Sequence, residues 1–220
     1  MQEEHRRLLV GALQELALEL PAERLERLIG YHGFLLQTNA QFNLTGYRTE
    51  LESLKNNLLN SLAPWKHVLV KSATADVGTG GGLPGLPLAI ALDMPSMALI
   101  ESKRKKCAFL REACSRYAPR VRVLHSDVKD VKERFTQILS SAYGSLDKLL
   151  SGTARQRAGG CRLLAWKGRA EVIAQEIAAC KPTERDWNVI PFSVPHMPDI
   201  QRHLCVHVTA VRRKPAALRP

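Results

Sequence analysis

Asp76-Val77-Gly78-Thr79-Gly80-Gly81-Gly82-Leu83-Pro84-Gly85 packs five glycines into eight residues, directly after the apolar run Ala73–Val77 and ahead of a stretch carrying Pro84 and Pro87. Glycine loses more backbone freedom on folding than any other residue, so this density in a plain turn would lower stability to no purpose. Between a strand and a helix it has a use, because a backbone without Cβ atoms can turn sharply and approach a ligand closely. Gly80, Gly82 and Gly85 match the GxGxxG pattern, and Glu101 follows sixteen residues after Gly85, at the end of the next apolar run. A carboxylate there can accept two hydrogen bonds from ribose hydroxyls. Two ligands fit, a dinucleotide and S-adenosylmethionine (AdoMet). A pyrophosphate needs free N–H groups at the helix start, and two prolines remove two of them. Asp76 would repel a pyrophosphate but would suit the ammonium of a methionine moiety, so the residues favour AdoMet. The cofactor cradle read here is Asp76, Gly78, Gly80, Gly82, Leu83 and Glu101.

Outward from the loop, short apolar runs alternate with helical stretches: Ala73–Val77, Met97–Ile100, Val121–Leu124, Gln137–Leu139, Cys161–Trp166, Val189–Val194 and Leu204–Val211. Amphipathic stretches such as Lys103–Tyr117 and Leu146–Arg157 lie between the early ones. Alternating strands and helices predict a parallel sheet covered on both faces. Pro195–Gln201 is too short for a crossover helix, so the last two strands should form an antiparallel hairpin. This is a Rossmann-like class I methyltransferase arrangement, an α/β fold with a seven-stranded, mostly parallel sheet. Upstream, Leu8, Leu9, Leu13, Leu16 and Leu20 recur at helical spacing up to Pro21, and Leu25, Leu28, Ile29, Leu35 and Leu36 continue in a second helix. Thr49 and Glu52 read as a capping box opening a third. The expected organisation is a helical cap over 1–66, an AdoMet-binding domain over 67–212 and a basic tail over 213–220.

The 220 residues suffice for a real core without disulfide staples. Five scattered cysteines, never spaced CxxC, argue for reduced thiols and against a structural zinc site. Seven histidines form no metal-binding spacing, so no metal is expected. No apolar run is long enough for a membrane span and the charged start is no signal sequence, so the expectation is a cytoplasmic protein without a membrane partner. A polyanionic partner would explain the net charge of +11, nucleic acid first and an anionic membrane surface second. Residues 101–134 hold eleven Lys and Arg against five acids, including the run Lys103, Arg104, Lys105, Lys106. Cations at a helix start are locally unfavourable, which raises the case for phosphate contact.

The string DVGTGGGLPGLPLAI resembles the AdoMet loop of the RsmG (GidB) family, which methylates guanine-N7 in 16S ribosomal RNA. Asn43-Leu44-Thr45 with Arg48, Glu101-Ser102 with Phe109-Leu110, Ala142 and Leu146 in the fourth-strand segment, Lys167-Gly168 and Arg202-His203-Leu204 resemble further pieces of that family in order and spacing. The resemblance implies an AdoMet-dependent rRNA methyltransferase acting on 16S RNA or the small ribosomal subunit. With the basic run, the position of the loop at 127–129 beside the ribose site and the needs of the reaction, the expectation puts Asn43 and Thr45 at the reaction, Asp127, Val128, Lys129 and Ser141 at the cofactor, and Arg48, Lys103–Lys106, Lys167 and Arg202 on the RNA. The chain departs from the family where Arg-His and Asp-Ser usually stand. Here are Asn56, Asn57, Asn60 and Ser61, and the Arg of the fourth-strand segment is Ser141. The three asparagines share a helix face beside a leucine stripe and should border the pocket.

Two other readings use the same residues. A nicotinamide-dependent dehydrogenase would share the sheet, but the prolines, the hairpin and the charge oppose it. A ribosome-assembly factor could keep the pocket and lose turnover. A monomer is favoured.

Overall fold

The computed structural model describes residues 1–210; the basic tail, the domain end at 212 and Val211 lie outside them. Three helical segments come first: α1 (Glu3–Glu15), α2 (Ala22–Asn39) and α3 (Glu50–Ser53). The last continues through a π-helical segment (Leu54–Leu59) into α4 (Asn60–Leu62). Thr49 caps it with a full capping box, its hydroxyl accepting from the Glu52 N–H. Then follow β1 (Thr74–Val77), α5 (Gly85–Leu92), β2 (Met97–Glu101), α6 (Arg104–Tyr117), β3 (Arg122–His125) and β4 (Phe135–Ser141). The chain closes with α7 (Leu146–Gly152), β5 (Arg157–Lys167), α8 (Ala170–Ala179), β6 (Asn188–Pro191) and β7 (His203–Val208).

The seven strands lie in the order β3-β2-β1-β4-β5-β7-β6. β1 to β5 are parallel, while β7 runs antiparallel to both β5 and β6. Two details differ from the reading of the sequence. The stretch 146–157 is not one helix: α7 stops at Gly152, and Arg157 opens β5, whose early Gly159 and Gly160 blur the strand pattern. Helix α8 escapes that reading because it fully buries only Ile173 and so shows a short apolar stripe.

Strand side chains alternate between two cores, as the pleat requires. Leu99, Leu139 and Leu164 face one helical layer, built by α5, α6 and the N-terminal helices through Leu9, Leu28, Leu35, Leu58, Leu88 and Leu110. Ala75, Val77, Ile100, Ile138 and Leu163 face the other, with Leu149 and Ile173 of α7 and α8. The cap therefore shares one continuous core with a face of the sheet.

The alternation also aims Asp76, which sits between Ala75 and Val77, at the α5 side. Its carboxyl is completely buried there. Oδ2 accepts from the Thr79 hydroxyl at 2.6 Å and from the Gly85 N–H at 2.8 Å, while Oδ1 has no partner. A Cβ on Gly85 would stand 2.8 Å from Asp76 and from Leu99, so only glycine lets α5 start this close to the strand.

Burial pushes the Asp76 carboxyl up to about 8, against the two hydrogen bonds, which lower it. The unfolded chain gives up this proton near the ordinary carboxylate value, and the folded chain holds it to about pH 8. This group's contribution to stability is therefore greatest below about pH 4 and declines as pH rises toward 8. Asp76→Asn should flatten that decline. Urea midpoints of both proteins between about pH 4 and 8 measure it; parallel curves would mean that Asp76 is ionised in the fold.

Candidate active site

A cavity of about 560 Å³ opens at the C-terminal ends of β1 and β4, between the glycine loop and the helical cap. Neighbouring strands whose connections leave in opposite directions create such crevices in open α/β sheets. Gly78 and Gly80 line it with left-handed φ values of 65° and 60°. A Cβ on Gly78 would meet the Tyr143 ring at 2.7 Å, whereas one on Gly80 would make only ordinary contacts, with Lys106 Nζ at 3.8 Å and Gly78 O at 3.9 Å. Glycine at 78 thus lets Tyr143 pack against the loop, and glycine at 80 leaves bare backbone that a ligand can approach closely.

Glu101, at the end of β2, is nearly buried. Its Oε2 accepts from Gly80 N–H at 3.1 Å and its Oε1 from Lys103 N–H at 2.8 Å. These bonds fix the carboxylate against the loop and leave it acceptor capacity for a diol.

The opposite wall comes from the cap. Asn39 Oδ1 accepts from the N–H groups of Leu44 and Thr45, and its amide donates to Tyr47 O, so this loop is held rigidly over the glycines. Tyr31 donates to Gly81 O at 2.7 Å from a buried position. Asn57 on the π-helical segment donates to Thr45 Oγ1 and Ser53 Oγ, and Ser53 meets His32 Nε2 at 3.1 Å. Burial pushes His32 down to about 4, which keeps it a neutral member of this chain near neutral pH.

Arg202 spans both walls. Its Nε donates to Asn60 Oδ1 at 3.2 Å and its Nη2 to Asn56 Oδ1 at 3.4 Å. Trp166 holds the same helix by donating to Asn60 O at 3.0 Å. The cavity lining contains Lys106, Lys167 and Arg202 but no carboxylate and no histidine. Lys167 is neutralised by Glu176 at 2.7 Å. Lys106 and Arg202 have no ion-pair partner among the described residues.

The cavity brings together Thr45, Gly78, Gly80, Leu83, Ser141, Lys106, Lys167 and Arg202 of the residues anticipated from sequence. Asn56, Asn57 and Asn60 border it as their spacing anticipates, together with Leu44, Tyr47, Thr79 and Trp166. Other residues stand elsewhere. Asn43 is exposed and accepts from Arg48 Nη2 at 2.7 Å, and neither lines the cavity. Asp76 is buried beneath the loop, bonded to Thr79 and Gly85, and does not line the cavity. Gly82 turns inward, with Leu86 and Leu110 where its Cβ would be. Asp127 caps a short turn, accepting from Lys129 N–H, with Val128 buried behind it; none of the three lines the cavity. Lys103, Arg104 and Lys105 are exposed on the approach to it.

Known proteins resemble this chain in fold and in sequence. Solved structures share the fold at low identity. A ribosomal protein L11 methylase from Lactobacillus delbrueckii subsp. bulgaricus matches with a TM-score of 0.52 at 14% identity, over 69% of this chain and 77% of that one. PigF, solved with SAH, matches with a TM-score of 0.55 at 18% identity, over 80% and 61%. Closer in sequence is the ribosomal RNA small subunit methyltransferase G of Chromobacterium violaceum, 34% identical over 87% of this chain and 92% of the relative. The protein of the same name from Treponema pallidum is 32% identical over 79% and 80%. The family model for GidB, rRNA small subunit methyltransferase G, matches residues 24–205, and with that span covering both the cap loop and the glycine cradle, the chain belongs to this family.

Proposed function

We propose that this protein transfers a methyl group from AdoMet to guanine-N7 of 16S ribosomal RNA. One observation carries the reading: a cavity that joins the glycine loop to unpaired cations and has neither a carboxylate nor a histidine among its described lining residues. When bound, AdoMet supplies an electrophilic methyl group. Gly78 and Gly80 would hold it, with Glu101 on its ribose. Asp127 and Val128, at the loop beside the ribose carboxylate, would flank its adenine.

Guanine N7 has a lone pair and no proton, so the chain need not supply a general base, and the described lining holds no carboxylate or histidine to act as one. What the residues supply is position. Thr45 and Asn57, fixed by the Asn39 and Ser53 hydrogen bonds, present polar groups on the wall opposite the glycines. Trp166 offers an apolar face at the cavity and Arg202 a guanidinium for a phosphate. The three family charges replaced by asparagine matter here. A carboxylate at position 60 would cancel Arg202, whereas an amide oxygen orients the guanidinium and leaves its full charge. The Lys103–Lys106 run extends this field outward. Cytoplasmic location follows from an rRNA substrate in this reading.

Mass spectrometry of 16S RNA treated with the protein and AdoMet tests the assignment; unmodified RNA despite tight AdoMet binding would favour an assembly factor. Gly80→Val should abolish AdoMet binding by calorimetry, at a stability cost of about 1–3 kcal/mol for a branched residue at left-handed φ. Glu101→Ala should weaken AdoMet by about 1.5–3 kcal/mol for each hydrogen bond removed. Unchanged affinity in both variants would remove the cradle assignment.

Asn60→Asp should weaken RNA binding and reduce its salt slope by about 0.7–0.9, the equivalent of one phosphate, with AdoMet affinity unchanged. Fluorescence anisotropy across a salt series reads the first effect and calorimetry the second. Weaker AdoMet with intact RNA binding would instead assign Arg202 to the methionine carboxylate.

A further inference from the structure

A second basic surface lies away from the cavity. The segment from Lys129 to Arg134 leaves the end of β3, at the site edge, and descends to the start of β4 at the opposite edge. There it meets the turn between α7 and β5, which carries Arg155. Two cavities share this ground. One of about 620 Å³ is lined by Lys129, Asp130, Lys132, Arg134 and Arg155. The other, of about 320 Å³, again includes Lys129, Asp130 and Arg155. The shared residues make them one trough.

The trough is strongly positive. Lys129, Lys132, Arg134 and Arg155 are all exposed. The neighbouring Glu133 is turned aside by its bidentate pair with Arg122, at 3.0 and 2.7 Å. Lys129 has only a loose pair with Asp127 at 3.8 Å. Lys132, Arg134 and Arg155 form no ion pair with any described residue. Some surface arginines of the helices are paired instead, as in Arg7–Glu3, Arg27–Glu23 and Arg116–Glu112.

The trough is also rigid. Gln156 is buried, and its amide donates to Val131 O at 2.6 Å and to Lys129 O at 3.4 Å. Its backbone carbonyl accepts from Phe135 N–H at 2.7 Å. One residue thus staples the descending segment to the turn, so the cations are held in place before any partner arrives.

The geometry points to this trough as a second RNA-docking surface, which grips the phosphate backbone flanking the segment presented to the cavity. The inference rests on RNA as the substrate. A membrane fits poorly, because surface attachment needs apolar side chains beside the cations. The exposed large apolar residues among those described, Met1, Leu51, Leu69, Val172, Ile200 and Val208, all lie elsewhere. Phosphates spaced along a strand match cations spread along a strip, and the strip begins at the edge where the cavity opens.

The test is a triple variant, Lys132→Gln, Arg134→Gln and Arg155→Gln, with Arg7→Gln, Arg27→Gln and Arg116→Gln as a control of equal net charge. All six positions are exposed or paired only at the surface, and thermal denaturation checks folding. Binding of 16S RNA is measured across a salt series, together with methylation kinetics and AdoMet calorimetry. The trough variant should bind RNA at least about tenfold more weakly near physiological salt, with the slope reduced by about 0.7–0.9 for each phosphate no longer neutralised. KM for RNA should rise while kcat and AdoMet affinity stay unchanged, and the control should bind like the parent. Equal losses in both variants, or no loss in either, would overturn the proposal. So would weakened binding to phosphatidylserine vesicles or to an acidic peptide with RNA binding intact. If the parent binds 16S RNA but never methylates it, the proposed reaction fails while this surface is still judged by the salt slope.

Discussion

Asp76 has no access to water, and its Oδ2 is shared between the Thr79 hydroxyl and the Gly85 N–H. Those two bonds define the turn that leads from the central strand to α5. They pin both ends of the loop, so that Gly78 and Gly80 face the cavity and Gly82 faces the core. Glu101 ties the middle of the same loop from the next strand. Two carboxyls thus divide the work by environment. The one inside the sheet is held neutral by burial and is structural, while the one at the strand end is bonded to the backbone of the glycine loop and of the next helix start. Without a glycine at position 85 its bond to Asp76 could not form at this distance, and the cradle would lose its anchor.

The cap contributes the other half of the site, with neutral groups. Asn39, Ser53, Asn57 and His32 belong to a hydrogen-bonded wall that carries no net charge. A buried polar arrangement of this kind gives rigidity only when its members are paired, because an unpaired polar group out of water costs about 1–3 kcal/mol. At the rim, Asn56 and Asn60 steer Arg202 without cancelling it.

Much of this is legible in the sequence because it depends on local rules. Glycine spacing, prolines after the loop, an acid at the end of the next strand and the capping box at Thr49 are each read within a few residues. The hairpin follows from a connection too short for a helix. Side-chain direction is harder to read. The position of Asp76 before the glycines suggests a ligand contact, although its apolar neighbours, Ala75 and Val77, already point the other way by the pleat. Asn43 matches a motif, but its partner Arg48 draws it outward, a pairing that depends on a loop conformation no periodicity encodes. The Gln156 staple joins segments about 25 residues apart in the chain and leaves no local trace.

The shared core of cap and sheet carries a consequence for how the chain is made. Leu9, Leu28 and Leu58 are buried in one core with Leu164, Trp166 and Leu204, which lie more than a hundred residues later. The first helices therefore leave the ribosome with their leucine stripes uncovered and wait for β5 and β7 before that core can close. Such distant contacts slow folding and prolong exposure of apolar surface. Nascent chains stalled before β5 is complete should be sensitive to proteases throughout the cap. The finished protein, in turn, unfolds without releasing a stable helical fragment.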